Sequence, residues 1–333
     1  MPDPAVVVRM RAFKRNLMLR EQRTLRAMRR SWLRVEAQLK TQIDVLAEQI
    51  AAMGADVNIG KIYRMERYQS MLAQAQRELY GYADEVADIV GTEQGRLARL
   101  ALSNAQDAIQ LSYFPDVAAR FDRLNYRAVE YMVGNAGDGS PLKHFMRMRL
   151  KLDTSDDQKT SMLAHIEKTL TDAAAQGWNP RKTAAQMQNN FAQGYLKAEQ
   201  VARTEQLRVY RQVAAEQYAE SGLVIGHRRV AAHDKRTCIA CLADEGTLYP
   251  VDQPISDHVS GRCTSIPVCK GAPEVQFQTA EDWIRGLPEA EQRIVMGRSY
   301  WSRWQNGVPF STFVEKKHND IWGETLQPTP LMH

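Results

Sequence analysis

The residues best suited to chemistry in this 333-residue chain are its four cysteines, Cys238, Cys241, Cys263 and Cys269, which all fall in one short window. Cys238-Ile239-Ala240-Cys241 is a C-x2-C knuckle. It sets two thiolates on one tight turn, and a tetrahedral Zn2+ takes each at about 2.3 Å. The second half of such a site must come from further along, and His258, Cys263 and Cys269 are the candidates. Thiolate and neutral imidazole both suit zinc. Four protein ligands would close the shell and leave no open position for water, which makes the site structural. The plainer alternative is a set of reduced, unliganded cysteines in a small core. The knuckle alone would weigh little against it, but the clustering of every cysteine around a histidine favours a metal. A chain of this length needs no disulfides to fold. A thioredoxin-like redox motif would open a helix after a strand in a parallel α/β unit, and no such pattern surrounds the knuckle.

Arginine carries the second chemical signal. The first 50 residues hold eleven Lys or Arg and five Asp or Glu, so they exceed the whole chain's net charge of +5. Arg9, Arg11, Arg15, Arg20, Arg23, Arg26, Arg29, Arg30 and Arg34 recur over successive helical turns. Such a stripe can meet DNA phosphate or an acidic protein surface. Its bland counterpart is a solvated helix face, since Arg is a good helix former. Aromatic residues are not interleaved as base-stacking platforms, so any contact with double-stranded DNA is expected to lack sequence preference. A third candidate is Arg203-Thr204-Glu205. Helix neighbours one and two apart do not face each other, so this is not a catalytic trio. Glu205 is placed to pair with Arg208, and Arg203 to reach loop carbonyls or an acid of the cysteine module. The two read as a structural clamp.

The elements that must position these residues are mostly helical. From Val6 to Met53 no Gly or Pro intervenes. Leu17, Leu25, Met28, Trp32, Val35, Leu39, Ile43 and Leu46 form one apolar stripe there. Gly54 and the segment 56–60 end it. A second helical pattern runs over 61–111, with a break expected near Gly91, and Pro115 opens a third that stops before Gly134. Residues 134–141 are the clearest loop. Helices are expected over 155–176, after the Asn179-Pro180 start signal, and over 196–221. A strand is expected over 223–231. Two short helices, 280–305 and 311–321, close the chain. Trp283, Trp301, Trp304 and Trp322 read as the core of a small module, and His144, His165 and His318 as solvated. The predicted fold is mostly α, with long helices in the N-terminal half and a small zinc-stabilised α+β module at the C-terminal end. Its expected domains are 1–133, a connecting segment 134–154, and 155–333 with the knuckle region at 234–270. No run of 18 apolar residues predicts a membrane span, and Met1 to Leu19 lacks the apolar centre of a secretory signal.

Several of these residues fall in an order that resembles the Mu F-like phage head morphogenesis family. Ala202-Arg203-Thr204-Glu205 stands on a helix, followed by Asp234-Lys235-Arg236-Thr237-Cys238-Ile239-Ala240-Cys241. Gly246-Thr247-Leu248-Tyr249-Pro250 comes next, then His258, Arg262-Cys263 and Pro267. Members show an A-R-T-E helix, a D-x-R-T-C-x-x-C knuckle, a G-x-x-Y/F-P stretch and an H-P-x-C-R-C tail. Asp282-Trp283, Gly297, Tyr300, Trp304 and Gly307 extend the likeness, which covers about residues 155–326. Three positions depart from the pattern. Gly261 stands where a tail cysteine is usual, Val259 replaces the proline, and Arg229 stands near where an aromatic often precedes the knuckle. Cys263 fits the motif as the fourth ligand beside Cys238, Cys241 and His258, with Cys269 as the alternative.

The resemblance implies a minor component of a bacteriophage head that acts in capsid assembly by binding, with no enzymatic activity. Its expected partners are the portal, the major capsid protein, double-stranded DNA, or further copies of itself. Its expected location is the virion, at the capsid interior or portal vertex, and the host cytoplasm during assembly. One rival is a head-carried enzyme domain, a toxin-like transferase or nuclease that uses the zinc. It would need an open metal position and a general base. A second rival, a zinc-containing nucleic-acid regulator, would need a recognition helix after Cys241, where the sequence is short and acidic.

Overall fold

A computed structural model describes residues 3–53, 59–113, 126–152 and 180–331, with 164, 165, 168, 169, 172 and 176 between the last two stretches. The turn at Gly54, the helix start at Pro115 and most of the helix expected over 155–176, with Asn179 after it, lie outside these residues. The elements run α1 (Ala5–Ala52), α2 (Ile59–Arg64), α3 (Glu66–Tyr113), α4 (Tyr126–Met132), α5 (Leu142–Arg149), α6 (Pro180–Glu220) and β1 (Val224–Val230). Then come α7 (Ile239–Ala243), β2 (Leu248–Pro250), β3 (Thr264–Cys269), α8 (Ala280–Arg285), α9 (Glu289–Met296) and α10 (Arg298–Gln305). A 3-10 turn (Phe310–Phe313) leads into the strands β4 (Val314–Asn319) and β5 (Gly323–Pro328). The chain is mostly helical, with small antiparallel sheets towards its C-terminal end.

The chain divides into two compact units. One comprises 1–21, 93–133 and 203–333, the other 22–92 and 134–202. The long helices α1, α3 and α6 each contribute to both, because their apolar stripes run past any single core. In the second unit the α1 stripe buries Met28, Trp32, Leu39, Ile43 and Leu46, and α3 buries Tyr68, Met71, Leu79 and Tyr82. Trp32 meets Tyr82 edge-on, ring centroids 4.8 Å apart. Arg147 of α5 grips Asp84 with two hydrogen bonds of 2.9 and 2.7 Å.

The first unit is built on a three-stranded sheet in the order β2-β1-β3, with β1 antiparallel to both neighbours. On one side, Leu97, Ala98, Ala101, Ala105 and Ile109 of α3 pack with Leu207, Tyr210, Val213 and Tyr218 of α6, joined by Val224 and Cys269. The start of α1 supplies Val6, Val7, Met10 and Phe13, which cluster with Val230 and Ile266 of the sheet. A third cluster gathers Ile239, Cys241, Leu242, Tyr249, Cys263, Ile284, Met296, Trp304, Phe310 and Phe313.

Several local expectations change. The pattern expected to break near Gly91 is one uninterrupted helix, α3. The expected helix 280–305 is three short ones, divided at Gly286-Leu287-Pro288 and at Gly297, whose φ is +77°. The helix expected over 311–321 is instead the 3-10 turn and β4, paired in register with β5 from Val314↔Pro328 to Asn319↔Gly323. The reversal is local chemistry. Asn319 Oδ1 accepts from the backbone N–H groups of Ile321 and Trp322, and Gly323 takes φ +70°. Trp283, Trp301 and Trp304 do pack in the third cluster, but Trp322 stands apart from it and donates its indole N–H to Glu205.

Candidate metal centre

The knuckle is presented by a tight turn. Asp234 Oδ1 accepts from Arg236 N at 2.8 Å and from Thr237 Oγ1 at 3.0 Å, which fixes the approach to Cys238. Cys238 then caps α7, with its Sγ accepting from Cys241 N at 3.4 Å. Hydrogen bonding to Cys241 holds the Cys238 thiol below its ordinary pKa, against the effect of burial. Cys241 itself sits on α7, buried beneath the knuckle.

The other half arrives on the loop between β2 and β3. Gly261 N donates to His258 O at 2.8 Å, and Ser260 N to Thr204 Oγ1 of α6 at 3.1 Å, so the A-R-T-E helix holds this turn directly. His258 Nδ1 lies 2.8 Å from the Val259 carbonyl, which marks it as the protonated ring nitrogen. A metal would displace the remaining ring proton and take Nε2, with Nδ1–H kept on the carbonyl, the usual arrangement for a metal-binding histidine. Burial lowers the imidazole pKa, but the hydrogen bond and charge of Cys241, with the charge of Asp257, raise it to about 9. The ligand atoms of Cys238, Cys241 and His258 all lie within 4.8 Å of one another, as do those of Cys241, Asp257 and Cys263. Cys238, Cys241, His258 and Cys263 also line one small cleft. Two thiols on a turn, a third thiol and a correctly oriented imidazole fit a soft or borderline divalent ion. The alternative ligand, Cys269, closes β3 six residues beyond Cys263, about 20 Å along an extended strand. It is buried in the α3–α6 core, where desolvation pushes its pKa up to about 11.

Sequence reasoning missed the residues that surround this set. Arg229, noted there only as a departure from an aromatic, is wholly buried in β1. It donates to Cys241 Sγ at 3.2 Å, to Asp257 Oδ1 at 2.9 Å and to the Ser256 carbonyl. Burial opposes the guanidinium charge, yet Cys263, Asp257, Cys241 and Asp244 together raise its pKa well above the ordinary value. Asp257 also takes Arg211 at 2.8 Å. Burial would raise this carboxyl, but Arg229 and Arg211 hold it at about 2. The departure at Gly261 has a steric reason, because a Cβ there would lie 2.1 Å from the Asp257 carboxylate. A signal for this network was available only in Arg229 standing in a strand pattern otherwise suited to burial.

The remaining candidates are placed as follows. Glu205 pairs with Arg208 at 2.8 Å and accepts the Trp322 indole at 3.2 Å. Arg203 pairs with Glu21 of α1 at 2.8 Å. Glu21 also receives Arg262 at 2.9 and 3.1 Å. Of the N-terminal arginines, four have internal carboxylate partners: Arg9 with Asp107, Arg11 with Asp3 and Glu245, Arg20 with Glu93, and Arg34 with Glu85. Arg15, Arg23, Arg26, Arg29 and Arg30 are exposed and have no ion pair among the described residues.

Residues 164–272 match the family described as phage Mu protein F like protein. The match covers about a third of the chain. It bears out the resemblance carried by the A-R-T-E helix, the knuckle and the tail, over a narrower span than those motifs suggested. No curated protein and no solved structure matches the chain. No helix among the described residues is long and apolar enough to cross a membrane.

Proposed function

We propose, from the premise that this chain carries a phage Mu F-like domain over residues 164–272, that it is a structural minor head protein of a bacteriophage. It acts in capsid assembly at or near the portal and resides in the virion. The observation that carries this reading is the match itself, inside which the knuckle and its second half converge. The mechanism is binding without turnover. Zinc held by Cys238, Cys241, His258 and Cys263 would cross-link α7 to the β2–β3 loop with a closed shell. Arg203 and Glu205 serve as a clamp that fastens α6 to its neighbours. The exposed arginines of α1, among them Arg23, Arg26, Arg29 and Arg30, supply a surface for double-stranded DNA or an acidic head protein. Contact with DNA there would be sequence-independent and would weaken steeply with salt.

Two measurements test the reading. Protein purified without chelator should hold about one zinc per chain. Cys238→Ser, Cys241→Ser and Cys263→Ser should each lose it and melt earlier, because metal binding and folding are coupled. Cys269→Ser should keep it. A zinc-free wild-type preparation removes the metal centre. Mass spectrometry of purified phage heads addresses the location, and absence of the chain from intact heads that package DNA sinks the assembly role.

A further inference from the structure

Lys14 of α1 is 5% exposed and lines the cleft that opens on Cys238, Cys241, His258 and Cys263. Among the described residues it forms no hydrogen bond or ion pair. Its stem is packed against the protein while the residue borders the cleft, so an anion in the cleft would draw the ammonium to it. The carboxylates nearby have other partners. Glu21 takes Arg203 and Arg262, Glu245 takes His233 and Arg11, and Asp234 is bonded within its own turn. Asp257, on the interior side, is met by Arg229 and Arg211. The anionic groups on the cleft side are Asp234 and the sulfurs, and the sulfurs carry the charge of the metal site.

We infer that Lys14 is an outer-sphere partner of the metal–thiolate centre, donating an N–H to a ligand sulfur, so that the first helix is itself part of the metal site. The inference rests on the zinc reading above. Three thiolates, a neutral imidazole and Zn2+ sum to one net negative charge, delocalised over sulfur. Arg229 serves that charge from within the protein through Cys241, and Lys14 serves it from the cleft. The placement follows from helix geometry. Arg11, Lys14, Met18 and Glu21 are spaced by three, four and three residues, which sets them along one face of α1. Arg11 NH2 lies 3.0 Å from His233 Nδ1, upstream of the knuckle, and Glu21 holds Arg262, the neighbour of Cys263. Lys14 and Met18 fall between these anchors, over the ligands.

The test uses the full chain as wild type, Lys14→Met, Lys14→Gln, Lys14→Arg and Met18→Ala, with folding checked by circular dichroism. Zinc affinity is read by competition with a chromophoric chelator, and the thiolate-to-metal charge-transfer band is read after cobalt substitution. Lys14→Met and Lys14→Gln should each bind zinc about 10- to 100-fold more weakly, the usual effect of losing an outer-sphere partner, and should shift the cobalt band. Lys14→Arg should recover most of the affinity, and Met18→Ala should stay within about twofold of wild type. Gln keeps much of the packing and a donor while removing the charge, so it carries the test if Met prevents folding. Wild-type affinity and an unshifted band in both neutral variants would overturn the inference. So would an equal loss in Met18→Ala, which would make the effect one of packing. A wild-type chain that binds no zinc overturns the metal reading itself, and that stoichiometry is measured before any variant is compared.

Discussion

Arg229 allows the loop that carries Asp257 and His258 to be buried. Its guanidinium has no exposed surface and is shared between a carbonyl, a thiol and a carboxylate. Removing one partner of a buried ion pair leaves the other charge uncompensated, which costs about 3–5 kcal/mol. Arg229→Met should therefore lower the unfolding free energy of its unit by about that amount and, on the zinc reading proposed above, weaken metal binding. Adding Asp257→Asn should restore part of the loss, and a double-mutant cycle measures the coupling. A single variant within about 0.5 kcal/mol of wild type, the range of ordinary surface substitutions, would contradict this account. The contrast with the knuckle explains what the sequence could reveal at this scale. Cys238 and Cys241 announce their chemistry by spacing on one turn. Arg229 finds Asp257 at a separation of 28 residues, through strand pairing that no local pattern specifies.

At the scale of elements, α1 and the strand β1 were legible from their apolar residues, and α3 was legible except at Gly91. The β4–β5 hairpin was not. Val314-Glu315-Lys316-Lys317-His318 holds one apolar residue in five and can be read as an exposed helix face, so the turn chemistry at Asn319 and Gly323 decides the outcome. Gly91 was read as a break, yet α3 runs through it, and a Cβ there would make ordinary contact with Gly134 at 3.6 Å. Glycine in a helix interior costs roughly 0.5–1 kcal/mol relative to alanine where no contact demands it. At Gly81, also within α3, a Cβ would meet nothing within 4 Å. Gly81→Ala should stabilise the protein by about that amount in chemical denaturation, and a destabilised variant would show that the helix is strained at this turn.

At the scale of the whole molecule, the composition of the compact units changes what a truncation should do. A fragment beginning near Ser155 appears self-contained in the sequence, since the cysteines, the A-R-T-E helix and the tryptophans all lie within it. The structure builds the core of that region partly from Leu97, Ala101, Ala105 and Ile109 of α3, and from Val6, Val7, Met10 and Phe13 of α1. Fully burying an apolar side chain of this size contributes roughly 1.5–3 kcal/mol, so the losses from such a cut exceed the stability of a typical domain. Deleting residues 1–21 alone should leave a chain that is protease-sensitive and poorly soluble, whatever its zinc supply. A deletion variant that melts cooperatively at the wild-type temperature would show that these contacts contribute little.

The apolar face at the start of α1 also sets a timetable. Val6, Val7, Met10 and Phe13 are covered in part by Val230 and Ile266, which leave the ribosome more than two hundred residues later. At about 5–20 residues per second, that face waits roughly 10–50 s for the strands that complete its burial. During this interval the first helix is a sticky, basic segment without its natural neighbour. The newborn chain is therefore open to aggregation through that face until the strands emerge.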